Sequence, residues 1–517
     1  FWQENDLFNR SIENRNGHPR FIFYEGPPSA NGLPGIHHVM SRTIKDLFCR
    51  YKTLKGYQVH RKAGWDTHGL PVELAVESKL GINKEDIGKK ISIADFNNQC
   101  RTEVMKYKDK WEELTQIMGY WVDLDHPYIT FDNKYIETLW YLLKQLYQKG
   151  LLYKGFTIQP YSPAAGTGLS SHELNQPGCY CLVKDNSVVA QFKVIKNKTS
   201  EFLFDGAVGD VYLLAWTTTP WTLPSNTALA VGEDIDYVEV ATINKYTGIK
   251  ETVILAKNVL NRWFNPEHEN IPFEAFDQAK NIIPYKVIRT IKGDKLANIR
   301  YEQLLPYAKP DRGDPFRVII GDFVSTDEGT GIVHIAPSFG ADDFRMDKIY
   351  NIGALTLVDK QGKFTDEMGE FSGKFVKPEY YPEYSPEKEK ELNVDIEIIT
   401  KLKRENKAFA TEKYEHSYPH CWRTDKPIIY YPLDSWFIRT TAFKDKMIEL
   451  NKTINWKPEF TGSGRFGNWL ENMVDWNLSR SRFWGTPLPI WRTIDKTEEI
   501  CIGSIEELKN EIDKSIA

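Results

Sequence analysis

The sequence predicts an α/β protein in which a parallel-sheet domain is interrupted by an inserted, mostly-β domain. A strand–loop–helix pattern opens the chain, and strand-rich runs separated by Gly, Asn, Asp and Pro follow from about Cys179. Loop–strand–helix patterns then return between His416 and Trp491. With 517 residues the chain is also too long for a single core, so several domains are expected.

The first strand–loop–helix unit begins with the apolar strand 20–24, which runs into the turn-rich segment 25–32. Apolar residues recur with helical period over 39–51, residues 57–60 predict the next strand, and the loop 64–69 follows it. Ligands of open parallel sheets bind beyond the carboxyl ends of the strands. Both loops therefore lie where a ligand is expected.

The remaining elements support three segments along the chain. Helices are expected over about 91–118, 133–150 and 395–406, and strands over 188–192, 211–215 and 317–320. We predict the first half of the parallel-sheet domain at 1–178, the inserted domain at 179–408, and the second half at 409–517.

Composition restricts the class of protein. The net charge is −5, so a polyanionic partner would have to be bound by local basic patches. Six scattered cysteines match neither a disulfide framework nor a four-cysteine metal site, which favours a reducing cytoplasm. No apolar run is long enough for a membrane span, so a cytoplasmic protein is expected. The chain opens with Phe1 and not with Met, which suggests a shortened chain.

Residues 26–38 read GPPSANGLPGIHH and resemble the signature of the class I aminoacyl-tRNA synthetases in its isoleucine-specific form. The four-residue HIGH signature falls on 35–38, with Gly in place of the first His and His in place of the Gly. A histidine and backbone N–H groups at a helix N-terminus can meet the α-phosphate of ATP. Taken alone, the histidine pair would only cap the helix. The resemblance implies substrate binding by Gly26 and Pro27, ATP binding by Gly35 and His38, and catalysis by His38 and His37.

Residues 64–73, GWDTHGLPVE, resemble the second pocket loop of the isoleucine enzymes, where an aspartate pairs with the substrate ammonium. An ammonium in a partly dry site needs a carboxylate partner, so the resemblance makes Asp66 substrate-binding. An aspartate in such a loop is ordinarily a turn residue. Residues 168–174, GLSSHEL, and 475–487, DWNLSRSRFWGTP, also match. Trp484 is thereby implied to line the isoleucine pocket, although alone it could equally be a core residue.

The inserted domain carries two further matches. Residues 216–226, WTTTPWTLPSN, and 329–343, GTGIVHIAPSFGADD, resemble the two halves of an editing pocket. Threonines ordinarily just favour a strand, and paired aspartates before a helix ordinarily cap it. The resemblance implies catalysis by Thr217, Thr218, His334 and Asp343, and substrate binding by Thr219, Thr222 and Asn226. Asp343 is expected to hold the ammonium of misattached valine, and His334 to position either the ribose or the water.

One departure from the family bears on metal binding. Relatives often carry two Cys-x-x-Cys pairs that together hold zinc. The matching positions here read SPAA at 162–165 and CWRT at 421–424. Because Cys421 alone remains, we expect no metal in this chain, and stoichiometric zinc in a metal assay would contradict this.

The resemblance implies activation of L-isoleucine with ATP and Mg²⁺, transfer to tRNA(Ile), and hydrolysis of mischarged valyl-tRNA, by a monomer with no membrane partner. A leucine or valine enzyme is the alternative interpretation within the class. The sequences of segments 64–69 and 216–226 argue against both. A non-catalytic RNA-binding paralogue is the rival from another class, suggested by Gly35 and His37. No lysine-rich run like the KMSKS loop occurs in the chain, so we expect truncation before that loop.

Overall fold

The computed structural model describes residues 1–516, with the backbone alone for 171 and 172. Contacts divide the chain into two compact units. The first consists of Phe1–Gly155 and the residues from Ser435 onwards, and the second is Phe156–Asp434. The domain limits at 178/179 and 408/409 stay predictions.

The first unit is built on a parallel sheet. Its strands are β1 (Arg20–Tyr24), β2 (Gln58–Trp65) and β3 (Asp123–Ile129), in the order β1-β2-β3 with both pairs parallel. The helices before β4 are α1 (Leu7–Glu13), α2 (Ile36–Leu54), α3 (Leu70–Leu80), α4 (Ile93–Val104), α5 (Lys108–Ile117) and α6 (Asn133–Gln148). The chain passes into the second unit within β4 (Leu152–Ser162).

The second unit is mostly β. Its strands are β5 (Thr167–Gly168), β6 (Tyr180–Lys193), β7 (Asp210–Thr217), β8 (Ala228–Val231), β9 (Asp236–Ile243), β10 (Lys250–Ala256), β11 (Tyr285–Lys292), β12 (Arg317–Ile320), β13 (Ile332–Ile335) and β14 (Ala408–Pro419). Its helices are α7 (Ser171–Leu174), α8 (Leu260–Trp263), α9 (Ala341–Tyr350), α10 (Glu389–Leu392) and α11 (Val394–Arg404).

Two sheets organise this second unit. Six strands lie in the order β11-β9-β10-β7-β6-β14, and three lie in the order β12-β8-β13. A large apolar core includes Leu213, Leu214, Leu229 and Val253, each 0% exposed. A 3-10 helix, Pro220–Ser225, connects β7 to β8 and carries part of the predicted editing segment.

The chain returns to the first unit within β15 (Ile429–Ile438). There follow α12 (Lys444–Asn451), α13 (Phe460–Ser463), α14 (Arg465–Glu471), β16 (Trp476–Asn477), β17 (Ile490–Arg492), β18 (Glu499–Cys501) and α15 (Ile505–Ile516). The predicted class, a parallel-sheet α/β fold of Rossmann type split by a mostly-β insertion, is confirmed.

One predicted helix differs in the structure. The segment 91–118 forms two helices, α4 and α5, separated by a turn at 105–107. The turn lets the backbone N–H of Tyr107 donate to the carbonyl of Ala30 at 2.9 Å. In a continuous helix, the N–H of Tyr107 would donate to the backbone carbonyl four residues earlier. The interruption therefore holds the loop that follows β1.

Candidate functional site

The loop after β1 is fixed by hydrogen bonds from the 105–111 region. Besides the bond from Tyr107 to Ala30, the indole Nε1 of Trp111 donates to the carbonyl of Gly32 at 2.8 Å. Both bonds satisfy backbone oxygens that would otherwise need water. The fixed loop contains two of the predicted substrate-binding residues, Gly26 and Pro27.

Glu25 anchors the start of this loop. Its carboxylate is 3% exposed and accepts from the Lys45 ammonium at 2.8 Å, while the Tyr120 hydroxyl donates to the other oxygen. The Arg42 guanidinium lies 3.8 Å away. Buried carboxylates are tolerated when paired and hydrogen-bonded in this way. Sequence reasoning missed Glu25, although a charged residue between an apolar strand and Gly-Pro was a signal.

His38 lies in the first turn of α2. Its Nδ1 accepts the backbone N–H of Gly35 at 2.9 Å, and its ring centroid lies 4.6 Å from that of Trp111. Desolvation, followed by the neighbouring His37 and Arg42, lowers the pKa of His38. A neutral ring whose Nδ1 accepts carries its proton on Nε2. The histidine thus caps the helix and still has an N–H donor to offer, whereas His37 is exposed.

Asp66 joins the two predicted ligand loops. Its backbone N–H donates to the carbonyl of Pro28 at 3.0 Å, and its Oδ1 accepts from the N–H of His68 at 3.4 Å. The second bond is long and has the form of an Asx turn. The Asp66 side chain is exposed to solvent, and the protein atoms around it desolvate the carboxyl enough to raise its pKa. Asp66 therefore does act as a turn residue, but through only one weak hydrogen bond.

Trp484 is held against the Asp66 loop. Its indole Nε1 donates to the carbonyl of Thr67 at 2.5 Å, and its ring centroid lies 5.4 Å from that of His68. The Glu73 carboxylate accepts the backbone N–H groups of Phe483 and Trp484, both at 2.7 Å. With 5% exposure, Trp484 is part of a core as well as a neighbour of the loop. Sequence reasoning did not single out Glu73 as the residue that brings the two motifs together.

In the second unit, three of the predicted threonines form one hydrogen-bonded group at the end of β7. The hydroxyls of Thr217 and Thr219 lie 3.2 Å apart, and those of Thr219 and Thr222 lie 3.3 Å apart. The N–H of Thr219 donates to the Thr217 hydroxyl at 3.1 Å, and the Thr222 hydroxyl donates to the Thr219 carbonyl at 2.8 Å. Thr218, the next residue along the chain from Thr217, is partly buried. The structure therefore brings Thr217, Thr219 and Thr222 together.

His334 and Asn226 extend this cluster. The His334 Nε2 lies 2.9 Å from the Thr222 hydroxyl, and its Nδ1 lies 3.2 Å from the Asn226 amide nitrogen. Burial lowers the pKa of His334 to about 4, so the ring is neutral at physiological pH. The Tyr301 hydroxyl donates to the Asn226 amide oxygen at 2.7 Å. Sequence reasoning missed Tyr301, which carries no local motif.

Asp343 lies in the first turn of α9, and its side chain reaches back towards β13. Its Oδ2 accepts the backbone N–H of Ala336 at 2.7 Å, just beyond the end of β13. A Cβ at Gly340 would come 2.7 Å from the Asp343 carboxyl carbon and would displace the carboxyl from this position. Burial raises the pKa of Asp343 to about 7. The carboxylate is thus held near the end of the strand that carries His334.

Asp395 anchors the threonine segment from α11. Its side chain is buried and accepts the backbone N–H of Trp221 at 2.8 Å. Burial raises the pKa of Asp395 to about 7, and the Lys377 ammonium opposes that rise. The bond fixes the first turn of the 3-10 helix to a separate element. Sequence reasoning missed this contact because its partner is distant in the chain.

Comparison with known proteins identifies the family. Residues 1–516 match the family described as tRNA synthetases class I (I, L, M and V). The chain belongs to the class I tRNA synthetase family.

Curated members of this class I family are similar over the whole chain. The isoleucine–tRNA ligase of Cytophaga hutchinsonii is 61% identical over 100% of this chain and 47% of its own length. That of Bacteroides fragilis is 60% identical over the same shares, and that of Clostridium novyi is 43% identical over 98% of this chain and 44% of its own. The chain therefore spans about half the length of the curated relatives it matches. The solved editing domain of a P. knowlesi cytosolic leucyl-tRNA synthetase gives a TM-score of only 0.24 at 16% identity, covering 34% of this chain and 68% of that domain.

Metal binding by this class I synthetase chain was expected to be absent. Among the described residues, no group of three or more His, Cys, Asp or Glu side chains could hold a metal ion. Cys421 is buried with a free thiol. The absence of zinc stays a prediction for a metal assay. In the described part of the chain, no helix is long and apolar enough to cross a membrane.

Proposed function

We propose that this chain is part of an enzyme that activates L-isoleucine with ATP, transfers it to tRNA(Ile) and hydrolyses mischarged valyl-tRNA. The observation that carries the proposal is 61% identity over the whole chain to a protein named isoleucine–tRNA ligase. The first unit supplies part of the activation site, and the second supplies the hydrolytic site.

In the first unit, groups from the signature segment, the Asp66 loop and the Trp484 segment support isoleucine activation. The Nε2–H of His38 and the N-terminus of α2 are donors for an ATP phosphate. Asp66 pairs with the α-ammonium of isoleucine, and Trp484 lines the side-chain pocket from beside Thr67. Gly26 and Pro27, directly after the anchored Glu25, line the same site. Adenylate formation joins the isoleucine carboxylate oxygen to the α-phosphorus and releases pyrophosphate.

Mg²⁺ fits this site only if it is bound through the phosphates of ATP. The described residues form no carboxylate group of the size that a protein-held ion needs. Mg²⁺ is commonly bound through substrate phosphates with few protein ligands. The ion would neutralise phosphate charge there, while His38 and the helix N-terminus orient the α-phosphate.

Hydrolysis of valyl-tRNA compensates for the limited selectivity with which an activation site can bind isoleucine in preference to valine. One methylene in an apolar pocket is worth only about 1–3 kcal/mol, a limit for which isoleucine and valine on this kind of enzyme are the standard illustration. In the second unit, Asp343 holds the valine ammonium, and the threonine hydroxyls face the ester. Water adds to the ester carbonyl, the bond to the ribose oxygen breaks, and that oxygen takes the proton. Preorganised donors suffice for this step without a nucleophilic side chain.

Two assays on the full-length protein test the proposal. We expect isoleucine-dependent exchange of pyrophosphate into ATP, and hydrolysis of Val-tRNA(Ile) with Ile-tRNA(Ile) spared. Exchange driven by leucine or valine in preference to isoleucine would reassign the substrate. No exchange and no hydrolysis would favour the RNA-binding paralogue suggested by Gly35 and His37.

A further inference from the structure

A chain of polar groups in the second unit has a direction that one fixed acceptor determines. The backbone carbonyl of Ala228 can only accept, and the Asn226 side-chain atom 2.8 Å from it must therefore be the amide nitrogen. The amide oxygen then faces the Tyr301 hydroxyl at 2.7 Å, which donates to it. Tyr301 is 1% exposed, so this bond is sheltered from water. The Asn226 amide is thus fixed at both ends.

The fixed amide determines where His334 carries its proton. The second hydrogen of the Asn226 amide points to His334 Nδ1 at 3.2 Å, so Nδ1 accepts and has no proton. The neutral ring then carries its proton on Nε2 and donates to the Thr222 hydroxyl oxygen at 2.9 Å. The Thr222 hydrogen is directed to the Thr219 carbonyl at 2.8 Å. Each donor hydrogen in this series of hydrogen bonds, from Tyr301 to Thr222, thus has one acceptor.

The structure assigns His334 a positioning role in the proposed hydrolysis. Tyr301 and Asn226 hold it as the Nε2–H tautomer, and through Thr222 it orients the Thr219 turn. Both ring nitrogens are used within the protein, so the ring holds neither the ribose nor the attacking water. This inference rests on the proposed hydrolytic function of the second unit.

The assignment also separates the roles of the threonines. Since the Thr222 hydrogen is committed to a backbone carbonyl, its oxygen acts toward its neighbours only as an acceptor. Thr219, 3.3 Å away, can donate to it or to a ligand. Within the group Thr217, Thr219 and Thr222, the hydroxyl hydrogens that remain for a developing oxyanion are those of Thr217 and Thr219, which lie close enough for one hydroxyl to donate to the other. Reversing the His334 tautomer would turn the Thr222 hydrogen toward the ring and release the Thr219 carbonyl.

The tautomer is tested by NMR on the full-length protein labelled with ¹³C,¹⁵N-histidine. The ring signals of His334 are identified by their loss in His334→Gln. We expect the Nε2–H form in the wild type. In Asn226→Asp, the carboxylate can only accept, so His334 should become Nδ1–H or doubly protonated. A wild-type ring in the Nδ1–H or imidazolium form at neutral pH would overturn the assignment.

The positioning role is tested by hydrolysis of Val-tRNA(Ile). A glutamine can place an amide N–H near the position of Nε2 but cannot act as a base. We expect His334→Gln to stay within about tenfold of the wild-type kcat and His334→Ala to fall about 100-fold, with KM little changed. Equal loss in folded Gln and Ala variants would overturn the role.

Tyr301→Phe provides a second variant with a matched control. It removes one hydroxyl and should lower kcat about tenfold while mixing the His334 tautomers. Tyr307→Phe makes the same change where the hydroxyl donates to Glu370 on the surface, and should leave hydrolysis unchanged. Unchanged hydrolysis and tautomer in Tyr301→Phe would overturn the role of Tyr301. Absence of hydrolysis in the wild type would overturn the proposed function, whereas a wrong tautomer with normal hydrolysis overturns the positioning role alone.

Discussion

At the scale of single residues, each of the two proposed ammonium partners accepts one backbone N–H. Asp66 accepts the N–H of His68, and Asp343 accepts the N–H of Ala336. An asparagine at either position keeps an oxygen for that N–H and removes the charge. Substitution by asparagine therefore separates a role in the local backbone from a role in binding a cation.

Asp66→Asn in the full-length protein should weaken isoleucine binding by about 2–5 kcal/mol, because a desolvated ammonium would lose its charged partner. Folding should survive, since the Asx turn needs only an acceptor. Isothermal titration with isoleucine measures the change. Asp123→Asn is the control, because Asp123 also accepts from nearby backbone N–H groups, at 3.1 Å, and has no proposed ligand. An unchanged dissociation constant would leave Asp66 as a turn residue only.

Asp343→Asn should abolish hydrolysis of Val-tRNA(Ile) and leave isoleucine activation intact. Its neighbour Asp342 is exposed, so Asp342→Asn is the matched control and should hydrolyse normally. Deacylation assays on the two full-length variants give the comparison. Normal hydrolysis in Asp343→Asn would remove the central residue from the proposed site.

The pH dependence of stability should also change in Asp343→Asn. The folded chain holds this proton up to about pH 7, compared with 3.8 for an ordinary aspartate. Because the folded state binds the proton more tightly, the free energy of unfolding falls as pH rises from about 3.8 to about 7. The variant should lack this contribution and be no less stable than the wild type above pH 7. Urea unfolding at pH 5 and pH 7.5 measures the change in the free energy of unfolding between the two pH values. An equal change in the wild type and in Asp343→Asn would contradict the prediction.

At the scale of elements, the loop after β1 depends on one buried carboxylate. Glu25→Ala would leave the Arg42 guanidinium, 6% exposed, without its anionic neighbour. We expect a loss of about 3–5 kcal/mol in the free energy of unfolding, measured with urea. Glu103→Ala, which breaks ion pairs with the more exposed Lys79 and Lys106, should cost about 1 kcal/mol or less. Similar losses in the two variants would show that Glu25 is not an anchor.

Elements were predictable where their signal is local. The helical period over 39–51 predicted α2, which ends before Gly56 at a φ of 88°. That period did not show which residues are buried, because Leu47 and Phe48 are 65% and 62% exposed. The break between α4 and α5 depends on a bond to Ala30 and had no local signal. Contacts between distant positions were not predictable for the same reason.

The candidate sites show the same limit. Asp66, Trp484 and the threonines could be named because their motifs resemble a family. Glu25, Glu73, Tyr301 and Asp395, which hold those motifs in place, lie outside or at the edge of them. Their partners are far away in sequence, so only the folded chain shows that Tyr301 meets Asn226 or that Asp395 meets Trp221.

At the scale of the whole molecule, each proposed reaction belongs to one unit. Glu25, His38, Asp66 and Trp484 all lie in the first unit, and the threonine cluster with His334 and Asp343 lies in the second. Activation and hydrolysis should therefore be separable by substitution, as Asp66→Asn and Asp343→Asn are designed to show.

Residues 1–517 alone should bind isoleucine but fail to activate it at a normal rate. Class I enzymes direct a lysine-rich KMSKS loop at the triphosphate, and no such run occurs in these residues. Charge that develops on pyrophosphate would then lack its cationic partner, so isoleucine-dependent exchange should fall about 100-fold or more below that of the full-length protein. Parallel exchange assays on the two proteins measure the loss, and titration with isoleucine checks that the Asp66 loop is intact. Exchange at the full-length rate by residues 1–517 would show that the residues described here already form a complete activation site.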